Sequence, residues 1–192
     1  MIKYYKIPEQ FEINYEDRLL YLQENWKIFR DECLELSQEI FKEYKTFANF
    51  STRKNSWTVY TMYYKNYKYF FNKHCKKSLK LLREVNPVNA GFSKFEPNTT
   101  TTLHRGRTPY TYRCHLGLVV PDFANFFIEG NNLTVNEGEI SLFPSELEHQ
   151  AWNRSLQNRY ILILDFMKSG YSRDLVYKNF AEKSILRLGD FI

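Results

Sequence analysis

The chain has only three cysteines, Cys33, Cys75 and Cys114, which are odd in number, widely spaced and outside any C-x-x-C pattern. That argues against a disulfide framework and against a structural zinc site, and it fits a reducing, cytoplasmic setting. Long hydrophobic runs are missing too. No stretch approaches the roughly 20 apolar residues that a membrane helix requires, and the opening MIKYYKIPEQFEINYEDR lacks the apolar core of a secretion signal. There is no internal repeat, no low-complexity linker and no charge run. Lys and Arg number 27 against 22 Asp and Glu, a net charge of +5, and this mild bias suits small anions as well as it suits nucleic acid. At 192 residues, one domain with a full core is the default.

What is present falls into two textures. From Glu16 to about Tyr44 the apolar residues Leu19, Leu22, Trp26, Phe29, Cys33, Leu36 and Ile40 recur at steps of three and four, which predicts one long amphipathic helix lying against a sheet. The same spacing would also satisfy a short coiled coil. A second helix is predicted from about Lys73 to Glu84, stopped by Asn86-Pro87. Between them, SWTVYTMYYKNYKYFF interleaves aromatics with lysines. That pattern can bind single-stranded nucleic acid, but aromatic packing under a sheet with lysines reaching water is the reading adopted, and no nucleic-acid partner is expected. After Ala90 the sequence turns to short β-prone runs separated by turn signals at Pro97-Asn98, Gly106, Pro109, Gly130-Asn131 and Asn136-Glu137-Gly138, the mark of an antiparallel sandwich or barrel. The expected organisation is a helical and aromatic part over about 1–89, a jelly-roll core over about 90–167, and a C-terminal helix and tail over 168–192, with the helix near Arg173 to Ala181.

The segment LHRGRTPYTYRCHLGL carries two of the four histidines and three arginines. Alternation places Thr111, Arg113, His115 and Gly117 on one face and Tyr110, Tyr112, Cys114, Leu116 and Leu118 on the other. The cationic face either meets solvent or lines a cavity that needs positive charge. Arg159 opens the strand NRYILILDF, and its planar fork suits a carboxylate. His149, in ELEHQAWN, sits between apolar neighbours. His104, His115 and His149 all fall in the β half.

These residues resemble the aspartyl/asparaginyl β-hydroxylases, Fe(II)- and 2-oxoglutarate-dependent dioxygenases on a double-stranded β-helix (jelly roll, cupin-like). The resemblance runs from roughly Trp57 to Phe166 and is carried by H-x-G, then R-x-H-L-G-L, then E-H-x-x-W-N, then an arginine ten residues beyond that last histidine. It implies a mainly β fold with flanking helices, and His104 and His149 as ligands of Fe(II). Gly106 stands where most such oxygenases add a carboxylate. It further implies that Arg159 and Ser93 take the distal carboxylate of 2-oxoglutarate, that Arg113 and His115 serve the iron-chelating end, and that Trp57 lies near the cosubstrate. The reaction implied consumes O2 and 2-oxoglutarate, yields succinate and CO2, and hydroxylates an unactivated carbon. The expected target is the β-carbon of an aspartyl or asparaginyl group in a peptide, a carrier-bound amino acid or another small substrate.

Two positions depart from the pattern. Family members commonly read R-x-R-x-H, the first arginine being a candidate for the substrate's carboxylate, where this chain has Thr111; and an aspartate-rich F-D-D-S or F-D-E-T is here Phe143-Pro144-Ser145-Glu146. A carboxylate that orients the iron histidine would then be absent or come from Glu146 or Glu148, and Arg105 and Arg107 would offer positive charge at the pocket rim. Competing readings are an acyl-chain hydroxylase like those acting on lipid A, a halogenase with chloride at the vacant carboxylate position, and a non-catalytic jelly-roll module for an anionic ligand.

Overall fold

The computed structural model describes residues 1–36, 38–43, 56–64, 67–68, 74–106 and 108–178. Thirteen strands and three helices follow the chain: β1 (Ile2–Tyr4), α1 (Glu9–Glu24), α2 (Trp26–Glu35), β2 (Lys42–Glu43), β3 (Trp57–Tyr64), β4 (Tyr67–Lys68), α3 (Lys76–Val85), β5 (Asn89–Phe95), β6 (Thr99–Thr100), β7 (His104–Arg105), β8 (Thr111–Val119), β9 (Ala124–Ile128), β10 (Asn131–Asn132), β11 (Ile140–Pro144), β12 (Glu148–Asn153) and β13 (Arg159–Met167). They form a large sheet in the order β1-β11-β8-β13-β5-β3-β2, with β4 on β3, and a small sheet in the order β10-β9-β12-β6, with β7 on β12. This is a jelly roll with flanking helices. The sheet reaches back before residue 90: β3 pairs antiparallel with β5, and β1 runs parallel to β11. The first half of SWTVYTMYYKNYKYFF is therefore strand; its residues 65–66 and 69–71 lie outside the described residues.

The expected single helix over Glu16 to Tyr44 is two helices. The break is at Asn25, whose backbone leaves the helical region (φ −97°, ψ 10°) and whose side-chain amide donates to the Tyr21 carbonyl at 2.8 Å. Asparagine offers the backbone this local alternative, which is why it interrupts helices. The predicted stripe survives the kink, with Leu19, Leu22, Phe29, Cys33 and Leu36 all buried, and Gln38–Ile40 forms a single 3-10 turn. Residues 44 onward of that prediction lie outside the described residues. The α3 helix ends as its sequence requires, with Asn86 in the left-handed region (φ 53°, ψ 54°) immediately before Pro87. Its N-terminus is capped from another helix: the Glu32 carboxylate accepts from the Lys77 and Ser78 amides at 3.0 and 2.7 Å, satisfying two donors that no intrahelical carbonyl can reach. Residues 173–178 are helical; the predicted extension to Ala181 lies outside the described residues.

The two faces of the large sheet have opposite chemistry. Phe92, Cys114, Leu116, Leu162 and Leu164 pack against Leu19, Leu22, Phe29, Cys33 and Leu82 of the helices in the main core. The alternate residues of the same strands face the small sheet. Leu162 is central to the helix side, in register with Leu116 on one neighbour and Phe92 on the other. Leu162→Ala is expected to cost about 3 kcal/mol through lost transfer and cavity terms, read as a lower urea midpoint with an unchanged slope.

Candidate active site

The inner face of the large sheet is built row by row. In one row Trp57, Phe95 and Arg159 lie across β3, β5 and β13; in the next, Val59, Ser93, Ile161 and Gly117; then Ile163 beside His115; then Asn89, Asp165 and Arg113. Opposite them, in the small sheet, His104 of β7 and His149 of β12 are direct cross-strand partners, so their side chains project from the same face. A small chamber of about 30 Å³ lies between the sheets, and Trp57, Ser93, His104, Arg113, His115, His149 and Arg159 all line it. The structure thus gathers around one cavity the seven residues that the resemblance assigned to iron and cosubstrate. The cationic face of β8 lines an interior, and the helices take the apolar one.

The two cross-strand histidines have ring centroids 4.3 Å apart. Each is oriented by a carbonyl two residues back in its own chain: Nδ1 of His104 lies 2.7 Å from the Thr102 oxygen, and Nδ1 of His149 lies 2.8 Å from the Leu147 oxygen. A carbonyl only accepts, so Nδ1 of each carries the proton and the lone pair is on Nε2. This takes the place of a carboxylate. Glu146 is paired with Lys168 at 2.6 Å and Glu148 reaches Arg105 at 3.7 Å, because the tight turn before β12 already supplies a backbone acceptor. Burial, reinforced by His104, holds His149 down to about 3; burial also lowers His104, and it lowers His115 strongly, with Arg159 and Arg113 adding to the effect. All three imidazoles are therefore neutral near pH 7, the form that donates a lone pair.

Arg159 is the most unusual group here. It is 2% exposed, it lies over the Phe95 ring at 5.5 Å, and its Nε has no hydrogen-bond partner among the described residues. Burial alone draws its guanidinium down to about 10, still charged at neutral pH. No carboxylate among the described residues lies within ion-pair distance of it, and a buried cation without an anion is costly enough to demand one. Close by in the lattice of rows, the Trp57 indole donates to the Ser93 hydroxyl at 2.9 Å, which directs the serine's own proton elsewhere. His115 is wedged edge-on between Phe126 and Phe143, with Nδ1 unpartnered among the described residues. Arg113, by contrast, is engaged: its Nε and Nη2 donate to the two carboxylate oxygens of Asp165 at 2.9 and 3.1 Å.

Gly106 has a steric reason to be glycine. Its amide donates to the Ser145 carbonyl at 2.9 Å, and a Cβ built there would sit 2.1 Å from that oxygen. No side chain fits, so the position cannot present a carboxylate, and among the described residues no group of three or more His, Cys, Asp or Glu could hold a metal. The donor set is two neutral imidazoles and an open remainder, which fits a divalent ion that takes nitrogen ligands and keeps other positions for small ligands. The two departures from the family pattern meet each other: Ser145 donates to the Thr108 carbonyl at 2.6 Å, so Thr111 is the donor in the 2.9 Å contact between the two hydroxyls. Arg105 is exposed at the rim and paired with Glu148; Arg107 lies outside the described residues.

A sequence profile described as Aspartyl/Asparaginyl beta-hydroxylase matches residues 23–169. The chain belongs to the aspartyl/asparaginyl β-hydroxylase family. Among its relatives, an ornithine lipid ester-linked acyl 2-hydroxylase of Rhizobium tropici is 36% identical over 84 residues, 42% of this chain and 30% of that protein. The aspartyl/asparaginyl beta-hydroxylase of Homo sapiens is 27% identical over 165 residues, 80% of this chain and 21% of that protein. Each match spans less than a third of the relative's length. A prolyl-4-hydroxylase of Pseudomonas putida shares the fold, with a TM-score of 0.53 at 12% identity over 77% of this chain and 88% of the other. No described helix of this family member is long and apolar enough to cross a membrane.

Two residues essential to this geometry were not read from the sequence. Asp165 was legible as an acid on the inward parity of an otherwise apolar strand, the same parity as Arg159. Asn153, the last residue of E-H-x-x-W-N, is fully buried; its amide donates to the carbonyls of Phe95, Glu96 and Gln157, and its oxygen accepts from the Ser155 amide and hydroxyl. It staples the turn that delivers Arg159 to the end of β5. Asn153→Ala is expected to cost about 3 kcal/mol, because it strands several buried groups at once, measurable as a drop in melting temperature.

Proposed function

We propose that the chain is a hydroxylase that uses Fe(II), 2-oxoglutarate and O2. The observation that carries this reading is the pairing, in one chamber, of two Nε2-presenting histidines on one wall with a buried arginine on the other that has no carboxylate partner among the described residues. His104 and His149 would hold the iron through Nε2, and the Thr102 and Leu147 carbonyls keep each ring in the ligating tautomer and orientation. Arg159 and the Ser93 hydroxyl would bind the distal carboxylate of 2-oxoglutarate, with Trp57 fixing the serine. Arg113 and His115 would serve its other end. Iron loaded with 2-oxoglutarate supplies oxygen activation coupled to decarboxylation, giving succinate and CO2. The protein's part is to exclude water with Phe95, Phe126 and Phe143 and to fix the geometry of the reactants.

For the substrate, the family favours an aspartyl or asparaginyl β-carbon in a peptide or a carrier-bound amino acid. A second reading, an acyl chain, is favoured by a specific observation: the place where relatives carry an arginine for a substrate carboxylate holds the neutral Thr111–Ser145 hydroxyl pair. The 36% identity to a lipid acyl 2-hydroxylase over 84 residues points the same way.

Protein loaded with iron under anaerobic conditions and given 2-oxoglutarate and oxygen is expected to form succinate, and His104→Ala and His149→Ala are each expected to abolish both succinate formation and Mn(II) binding. Wild-type protein that binds neither Mn(II) nor 2-oxoglutarate would refute the reading. Product analysis with aspartyl peptides and with acyl lipids as substrates separates the two substrate classes. Gly106→Asp, which restores a carboxylate in sequence, is expected to weaken Mn(II) binding about tenfold or more, since the side chain must push the Ser145 carbonyl and disturb the turn leading to His149; titration calorimetry reads the sign directly.

A further inference from the structure

We infer that Asp165 is a positioning residue whose task is to hold Arg113 by one edge and cancel its charge, so that Arg159 alone provides the net positive charge that draws an anion into the chamber. The inference rests on the proposed binding of 2-oxoglutarate there.

Asp165 has no exposed surface, and its carboxylate is surrounded by fixed donors: Arg113 takes both oxygens in a bidentate pair, and the Asn89 amide adds a third bond to Oδ2 at 3.1 Å. The three residues form a single cross-strand row, Asp165 being in register with Arg113 on β8 and with Asn89 on β5. A planar guanidinium gripped through Nε and one terminal nitrogen is fixed in plane and direction, which a single hydrogen bond would not achieve. The fixed group matters to the site because Arg113 lines the chamber beside His104, His115, His149 and Arg159. Without Asp165, the chamber would contain two uncompensated guanidinia on the same sheet face. A dicarboxylate could then enter in either direction, and chloride could settle beside the histidines. With Asp165 in place, the chamber holds one unbalanced cation, Arg159, among the described residues, and one end of the ligand is chosen for it. Arg113 stays on the chamber wall with its charge matched by the Asp165 carboxylate.

The test exploits a sign that a structural role cannot give. Calorimetry with Mn(II)-loaded protein measures binding of succinate and 2-oxoglutarate at low and at about 0.2 M chloride, where surface charges are screened and buried ones are not. Asp165→Asn keeps the shape and removes the charge. It is expected to bind succinate about tenfold more tightly than wild type at low chloride, to lose that gain as chloride rises, and to turn over more slowly. Loosened packing would weaken both ligands and add no chloride dependence. The neutral double variant Arg113→Gln/Asp165→Asn avoids a stranded buried charge and covers the case in which the single variant does not fold. It is expected to lose less than about tenfold in succinate affinity and to be insensitive to chloride, whereas Arg159→Gln loses about a hundredfold. A folded Asp165→Asn protein with weaker or unchanged succinate binding, or a double variant as impaired as Arg159→Gln, overturns the inference while leaving the cosubstrate reading intact. Wild-type protein with no affinity for 2-oxoglutarate removes both.

Discussion

A sheet has two faces, and in this chain the helices cover the one that would otherwise have to meet the second sheet. Leu116, Leu162 and Phe92 spend the apolar side of β8, β13 and β5 against α1, α2 and α3, where burial of side chains this size stabilises by about 2 kcal/mol each. The opposite face is thereby released from making a hydrophobic core. It can carry arginine, histidine, serine and aspartate at successive rows because the fold does not depend on packing there. The inter-sheet apolar cluster is correspondingly small, centred on Trp57, Phe95, Phe126, Ile128 and Phe143, and Trp57, Phe95 and Phe126 do double duty as walls of the chamber.

Polar groups released into such an interior still have to be reconciled with low polarity, and the chamber does this in three different ways. The histidines are neutral, held so by burial, with Nδ1 of His104 and His149 satisfied by adjacent carbonyls. Arg113 is matched by a carboxylate of the protein itself. Arg159 receives neither treatment. Among the described residues it faces the quadrupole of Phe95, which softens the cost of burial but falls well short of an anion. A group left in this condition would gain free energy from any ligand that supplied an anion, which is why the proposed cosubstrate site is placed there.

Much of this was legible because strand alternation is a rule of geometry and not of context. Once the β half was recognised, the parity of Arg113 with His115 followed, whereas the grouping of these residues with His104, His149, Ser93, Trp57 and Arg159 came only from what the family resemblance implies. What alternation could not say was which face would be inside, since that depended on where the helices pack. The helix kink at Asn25 was hidden for a related reason: the three-four spacing continues through it, so the stripe reads the same whether the backbone is continuous or broken. Asp165 and Asn153 escaped because their roles are relational. An acid in an apolar strand acquires meaning only when the neighbouring strand's register puts Arg113 opposite, and a buried asparagine only when a turn brings three carbonyls to its amide. Of the two outcomes left open behind His149, no carboxylate or one from Glu146 or Glu148, the structure has the first, and a backbone carbonyl, invisible to residue identity, orients the ring.

The same limit explains why Gly106 and Ser145 belong in one argument. Read separately, one is a missing ligand and the other a missing acid. In the structure they are a single contact: the Ser145 carbonyl accepts from the Gly106 amide and occupies the space that a side chain at 106 would need. The Ser145 hydroxyl, on the other side, is engaged with Thr108 and Thr111. The turn between β11 and β12 is therefore fixed by hydrogen bonds on both sides, and it is this turn that sets the position of Leu147 and, through its carbonyl, of the His149 ring. A third protein ligand could be introduced only by moving the element that holds the second in place. In the proposed metal site, two histidines with open remaining positions would thus be the arrangement this backbone enforces, and positive charge that a facial carboxylate would otherwise have cancelled would remain for a bound anion to meet.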